Sequence, residues 1–173
     1  MSTIAAYFHH EFNLSTQSTI SLFSPNHVDY VPICLAVGII GAKVVPINPL
    51  YTVHELVTIL NSSKSNLLVV HENMIEVGLE AVKQCDSVKH VVMIPIDEDN
   101  GKENVPEGVI SLESLKEHGK PIFKTVDTVC DNIESHPVVL PYSSGTTGKC
   151  QCHFPLSIHL VTTSSLSVIC HHH

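Results

Sequence analysis

Between residues 19 and 94, short apolar runs alternate with longer segments of helical period. The apolar runs cover residues 19–23, 43–47, 67–70 and 88–94. The segments between them cover residues 28–41, 53–60 and 74–85. Strand and helix in turn, joined by short links, are typical of a parallel sheet covered by helices. The sequence therefore predicts an α/β fold with a parallel sheet flanked by helices.

The segment at 28–41 is apolar on every side, which predicts a helix that is buried all round. Asn26, with Asp29 three residues later, has the spacing of a helix cap. Pro32 would fall in the second turn, where a proline kinks a helix or delays its start.

The remaining segments carry weaker patterns. Residues 1–18 have no clean period and form an unassigned leader, in which His9-His10 is expected to be a solvated pair. The residue pattern predicts a solvated polar loop at 97–109, a short amphipathic helix at 111–118 and a connector at 120–136.

An apolar run at 137–140 predicts a short buried strand, and a glycine- and hydroxyl-rich stretch follows it, Pro141-Tyr142-Ser143-Ser144-Gly145-Thr146-Thr147-Gly148-Lys149. Glycine allows close backbone approach, so successive N–H groups can point into one concavity, and the hydroxyls add donors. Such a nest at the end of a strand binds phosphate. The spacing is not that of a P-loop, which has four residues between its glycines. A plain surface turn is the alternative interpretation.

The residue sequence of this stretch, YSSGTTGK, resembles the nucleotide loop of the adenylate-forming superfamily, which includes acyl-CoA synthetases, 4-coumarate–CoA ligases and firefly luciferases. Residues 19–52 resemble the first strand, helix and second strand of the same enzymes. Both stretches occur in the order that the family has. The resemblance implies that residues 19–149 are a partial AMP-binding domain, the incomplete amino-terminal part of the family's large domain.

The resemblance also implies a reaction. These enzymes join a carboxylic acid to ATP, giving an acyl-adenylate and pyrophosphate, and coenzyme A then displaces AMP. ATP is accompanied by Mg²⁺ in the family, but no metal ligand and no catalytic residue is assigned to this chain. The cofactor-binding residues that the resemblance implies lie around the β- and γ-phosphates: Ser143, Ser144, Gly145, Thr146, Thr147, Gly148 and Lys149.

The sequence departs from the family pattern directly after the loop. The family continues with proline and lysine, whereas this chain has Cys150 and Gln151, and Lys149 stands two positions early. Residues 150–173 contain no Lys, Arg, Asp or Glu and are read as a divergent tail. A metal site there would use Cys150, Cys152, His153, His159, Cys170 and His171, whose spacing matches no usual zinc motif.

The charge balance limits the partners. The formal net charge is −8, with 17 acidic residues against 9 lysines and no arginine, so nucleic acid is not expected to bind. Weak or no ATP binding is expected, because no guanidinium is present to bind phosphate. No signal peptide or 18-residue apolar segment is present, and the six cysteines show no disulfide-scaffold density, so we expect a reducing intracellular compartment.

The functional prediction is a fragment of an ATP-dependent acid–thiol ligase that is inactive alone. Two alternatives remain open: a non-catalytic isoform that binds a partner, and a small phosphate-binding α/β module unrelated to ligases. An incomplete parallel sheet would also leave strand edges uncovered, which predicts self-association.

Overall fold

The structure is a computed structural model that describes residues 2–96, 105–118, 139–143 and 151–152. The strands are β1 (Thr19–Phe23), β2 (Lys43–Ile47), β3 (Leu67–His71), β4 (His90–Ile94), β5 (Ile110–Ser111), β6 (Tyr142–Ser143) and β7 (Gln151–Cys152). The helices are α1 (Ser2–His10), α2 (Tyr30–Ile39), α3 (Val53–Ser63), α4 (Ile75–Val82) and α5 (Leu112–His118), and a 3-10 turn at Glu72–Met74 precedes α4.

The first five strands form one parallel sheet in the order β2-β1-β3-β4-β5. The predicted α/β fold and the alternation of strands and helices are therefore confirmed. The predicted boundaries differ from the observed ones by no more than a turn. β6 and β7 form a separate antiparallel ribbon.

Side chains of each strand alternate between two hydrophobic layers, as the strand geometry requires. In β3, Leu67 and Val69 pack into the layer that contains α1, α2 and α5. Leu68 and Val70 pack into the opposite layer, which contains α3 and α4. All four side chains are fully buried. Helices thus cover both faces of the sheet, which explains why its strands read as continuous apolar runs.

Helix α3 begins at a capping box. The Glu55 N–H donates to Thr52 Oγ1, and the Glu55 carboxylate accepts the Thr52 N–H at 2.8 Å. The helix ends where Lys64 takes a left-handed conformation with φ of 51°. Leu56, Ile59 and Leu60 form its buried face.

Helix α2 differs from three expectations. It begins at Tyr30, so Pro32 lies in the first turn, where its missing N–H costs no helical hydrogen bond. The cap prediction for Asn26 is wrong: the residue before the helix is Asp29, whose side chain makes no capping bond. Burial all round is also wrong, because only one face meets the sheet and Val31 is 62% exposed.

The leader, for which the sequence predicted no element, contains α1. Its apolar face, with Ile4 and Phe8, packs into the same layer as α2 and α5. The His9 ring N–H at Nδ1 donates to the Leu14 carbonyl at 2.9 Å, while His10 is exposed. In the described part of the chain, no helix is long and apolar enough to span a membrane. Residues 97–104 and the connector at 120–136 lie outside the described residues.

His90 should make the stability of the fold sensitive to pH. Its ring stacks on Phe12 with centroids 4.2 Å apart, and burial lowers the pKa of His90. The unfolded chain therefore binds this proton at a higher pH than the folded chain, and the free energy of unfolding falls as the pH drops below about 6.5. His90→Phe keeps a stacked ring and removes the titration. We expect urea unfolding of this variant to depend less on pH between about pH 7.5 and 5.5 than the wild type does.

The exposed His54 provides the control. His54→Gln should keep the wild-type pH dependence. An unchanged pH dependence in His90→Phe would contradict the assignment to His90.

Candidate phosphate-binding site

The segment that leads into the predicted phosphate loop lies along the outer side of β2. Val139 forms a parallel bridge with Val44, and the Leu140 N–H donates to the Val44 carbonyl at 2.9 Å. Of the buried strand predicted at 137–140, the described residues 139–140 are only half-buried and form a single parallel bridge at the edge of the sheet. Residues 137 and 138 lie outside the described residues.

Alternate side chains of this segment pack on opposite faces of the sheet. Val139 contacts the layer of α1 and α2, whereas Leu140 and Tyr142 contact the layer of α3 and α4. The Tyr142 hydroxyl lies 3.3 Å from Ser62 Oγ near the end of α3. Contacts on both faces fix the direction in which the chain enters the loop.

The short ribbon β6–β7 holds the two ends of the loop together. Tyr142 pairs with Cys152 and Ser143 pairs with Gln151, so residues 144–150 form the connection between them. Of the predicted site residues, Ser143 lies in β6. The other six lie outside the described residues: Ser144, Gly145, Thr146, Thr147, Gly148 and Lys149. The sequence did not predict β7, because Gln151-Cys152 lies in a segment without a strand pattern.

The loop begins at the carboxyl edge of the sheet. The segment at 139–140 runs parallel to β2, and all strands from β1 to β5 are parallel. The chain therefore leaves the sheet on the edge where all these strands end. The order also reverses between β1 and β3, since β1 connects outward to β2 and β3 connects the other way to β4. In open α/β sheets, ligands bind outside the carboxyl ends of the strands.

A partly buried ion cluster lies at this same edge. Asp29 follows β1, and its Oδ1 forms an ion pair with Lys116 Nζ on α5 at 2.8 Å. The same Lys116 Nζ lies 2.6 Å from Glu113 Oε1. Burial by itself would lower the pKa of Lys116, but its hydrogen bonds to Asp29 and Glu113 outweigh this and raise it. The second Asp29 oxygen, Oδ2, is buried with no hydrogen-bond partner among the described residues. The cluster attaches α5 to the end of β1.

Two histidines lie beside this cluster. The His27 and His71 rings are 5.5 Å apart between centroids, at 65° to each other. Burial, and then the nearby His27, lower the pKa of His71, while Glu72 opposes the shift. Sequence reasoning did not identify these histidines or the ion cluster, because only the pairing of β1 with β3 brings them together.

Nothing in the described part of the chain forms a metal site: no group of three or more His, Cys, Asp or Glu side chains there is arranged to hold a metal ion. Both histidine rings use Nδ1 to accept a backbone N–H, from Asp29 and from Asn73, each at 3.2 Å. A neutral ring with this arrangement carries its proton on Nε2, which leaves neither nitrogen free as a ligand.

A cleft of about 360 Å³ lies between α1 and the segment that runs from Val105 into α5. Its polar lining comes from Tyr7, Ser111, Ser114 and His118. Burial, and then Glu11, raise the pKa of Tyr7, so its phenol stays a neutral donor.

Comparisons with known proteins agree with the fold. The sequence profile described as AMP-binding enzyme matches residues 1–150. The chain is 29% identical to 4-coumarate–CoA ligase 1 of Arabidopsis thaliana, an alignment that covers 84% of this chain and 25% of the relative. It is 31% identical to probable acyl-activating enzyme 10 of the same plant, covering 75% of this chain and 24% of the relative.

A solved structure shows the same fold. The red-emitting luciferase of Phrixothrix hirtus superposes with a TM-score of 0.70 at 22% identity, covering 87% of this chain and 36% of the luciferase chain. The chain spans about a quarter of the length of the two plant relatives. Because the profile matches most of the sequence, this chain belongs to the family of AMP-binding, adenylate-forming enzymes.

Proposed function

We propose that this chain carries the nucleotide loop of an ATP-dependent acid–thiol ligase. The plant relatives support this class, since one is named a 4-coumarate–CoA ligase and another a probable acyl-activating enzyme. The substrates would be a small carboxylic acid, ATP and coenzyme A. We place the protein inside the cell, where these substrates are available.

One structural observation supports the proposal most strongly. The chain before the loop is tied to β2 by the bond from Leu140 to Val44, and the chain after it is paired to β6. Both ends of residues 144–150 are therefore held together, at the carboxyl edge of a parallel sheet. A glycine- and hydroxyl-rich loop held in this way can turn its N–H groups toward one phosphate group.

The chemistry needs little covalent participation by the protein. An oxygen of the acid attacks the α-phosphorus of ATP, and the bond to the β-phosphate oxygen breaks, which releases pyrophosphate. The thiol of coenzyme A then attacks the acyl carbon, loses its proton and releases AMP. In this proposal the backbone and hydroxyls from Ser143 to Gly148, with Lys149, bind the leaving pyrophosphate. Donors aimed at that developing charge stabilise the transition state.

Mg²⁺ would enter bound to ATP, where it neutralises phosphate charge. The described residues provide no metal cluster, so no residue of this chain is assigned to it. We also propose that the chain alone does not complete the reaction, because it spans only about a quarter of the relatives' length.

A longer product with this amino-terminal sequence, carrying Pro and Lys near positions 150 and 151, should catalyse acid-dependent ATP–pyrophosphate exchange. In it, Thr146→Ala and Thr147→Ala should lower kcat, because their hydroxyls act mainly in the transition state. Each loss should be at most about 1.5–3 kcal/mol, or roughly ten- to a hundredfold in rate.

Thr58→Ala is the matched control, because the Thr58 hydroxyl is exposed and donates to the His54 carbonyl within its own helix. This control should exchange at the wild-type rate. Wild-type rates in both loop variants would remove these hydroxyls from the mechanism.

The uncovered edge of the parallel sheet predicts that the chain associates with itself. The outer side of β2 is partly covered by residues 139–140, whereas β5 ends the sheet on the other side among the described residues. Near the carboxyl edge, large apolar side chains are exposed: Val28, Val31, Leu50 and Ile96. We propose that the isolated chain self-associates through the β5 edge and these side chains.

Sedimentation velocity should show a sedimentation coefficient that rises with concentration, and Leu50→Lys should reduce the rise. Asn26→Lys adds the same charge at an exposed polar position and should have less effect. A monomeric coefficient at every concentration would reject self-association.

A further inference from the structure

The ends of β1 and β3 carry the same local arrangement. After β1, His27 Nδ1 accepts the N–H of Asp29, two residues later, at 3.2 Å. At the end of β3, His71 Nδ1 accepts the N–H of Asn73, again two residues later, at 3.2 Å. The two strands are neighbours in the sheet, so the two rings contact each other. Each bond closes the turn from which a helical segment starts.

We propose that His27 and His71 form an acid-sensitive joint: while both rings are neutral they hold the starts of α2 and of the turn before α4, and a proton on either ring releases its turn. The proton comes from solvent and binds the Nδ1 lone pair. That nitrogen then becomes a donor, so it can no longer accept a backbone N–H.

Near His27, the Asp29 carboxylate can take the place of the lost hydrogen bond from the Asp29 N–H. Asp29 Oδ2 lies 3.7 Å from His27 Nδ1, while Asp29 Oδ1 is paired with Lys116, which also contacts Glu113. Because Oδ2 has no hydrogen-bond partner among the described residues, a protonated His27 can turn to it. The ring then exchanges the Asp29 N–H for the Asp29 carboxylate, and the turn opens.

Among the described residues, nothing around His71 offers such a replacement. The ring is only 5% exposed, and the adjacent acidic residue, Glu72, already accepts the Ile96 N–H at 2.8 Å. Burial lowers the pKa of His71, and the neighbouring His27 lowers it further. A proton on His71 therefore removes the acceptor of Asn73 without a new partner.

The joint connects both layers of the fold. Helix α2 packs in one hydrophobic layer and α4 in the other, and the two turns meet at the point where the strand order reverses. Acid should therefore loosen the beginnings of helical segments on both faces at once. The residues affected lie at the carboxyl edge, on which the phosphate loop also begins.

Asparagine provides a substitution that separates capping from titration. Its Oδ1 accepts a hydrogen bond from about the position of the histidine Nδ1 but binds no proton in this range. Hydrogen exchange of the Asp29 and Asn73 amides would be measured in the full chain near pH 7.5 and pH 5.5, as protection relative to the intrinsic rate. In the wild type, protection of the Asp29 amide should fall about three- to thirtyfold at the lower pH, the loss expected for one cap, and protection of the Asn73 amide should fall by less, because the pKa of His71 is lowered.

The asparagine and alanine variants should differ in the protection of these two amides. His27→Asn should keep the protection of the Asp29 amide at both pH values, and His71→Asn should do the same for Asn73. His27→Ala and His71→Ala should have low protection at both. His54→Gln, at an exposed position, should keep the wild-type fall. Asparagine variants that lose protection as the wild type does would overturn the proposal.

A second measurement covers the case in which a variant fails to fold. The ring nitrogen shifts of the wild-type chain report which nitrogen of each histidine carries the proton. Near neutral pH, Nε2 should be protonated and Nδ1 should be free of a proton in both rings. An Nδ1 proton on either neutral ring would also overturn the proposal, since that ring could not accept the backbone N–H.

Discussion

The parallel pairing of the strands is the constraint on which the other features depend. Because β1 to β5 run in one direction, their following loops all leave the same edge of the sheet. The bond from the Leu140 N–H to the Val44 carbonyl brings one more segment into that pairing, although the two residues lie far apart in the sequence. Removing this pairing would leave the phosphate loop without a fixed position relative to the sheet.

The same edge collects charged and titratable groups from distant segments. Asp29 follows β1, His71 ends β3, and Lys116 comes from α5. The contact between Asp29 and Lys116 is short and Asp29 is buried, so these two depend on each other more than an exposed ion pair does. This cluster fixes the end of β1 and the start of α2 on the side where the loop begins. The carboxyl edge is thus both the proposed nucleotide edge and the place where His27 and His71 meet.

The fold was predictable from the sequence because the buried strands contain continuous apolar runs, as in residues 67–70, and the helices between them have helical period. Helix α1 was not predictable in the same way, because it is a single nine-residue element whose burial depends on contacts with α2 and α5. The contacts of Asp29 with Lys116 and of His27 with His71 depend on the strand order, which residue patterns do not specify. The phosphate loop was identified by its residue sequence, YSSGTTGK. The structure adds the pairing of β6 with β7, the strands that flank it.

The central claim is that this loop, held beside β2, binds the leaving phosphates of a nucleotide. The most direct measurement is a titration of the isotope-labelled chain with pyrophosphate and with MgATP, following the backbone amide shifts. We expect the chemical shifts of the amides from Ser143 to Lys149 to change together, with dissociation constants of about a millimolar or weaker, since the chain has no arginine to bind phosphate. Amides in the loop that do not respond, or a response confined to residues away from it, would contradict the claim.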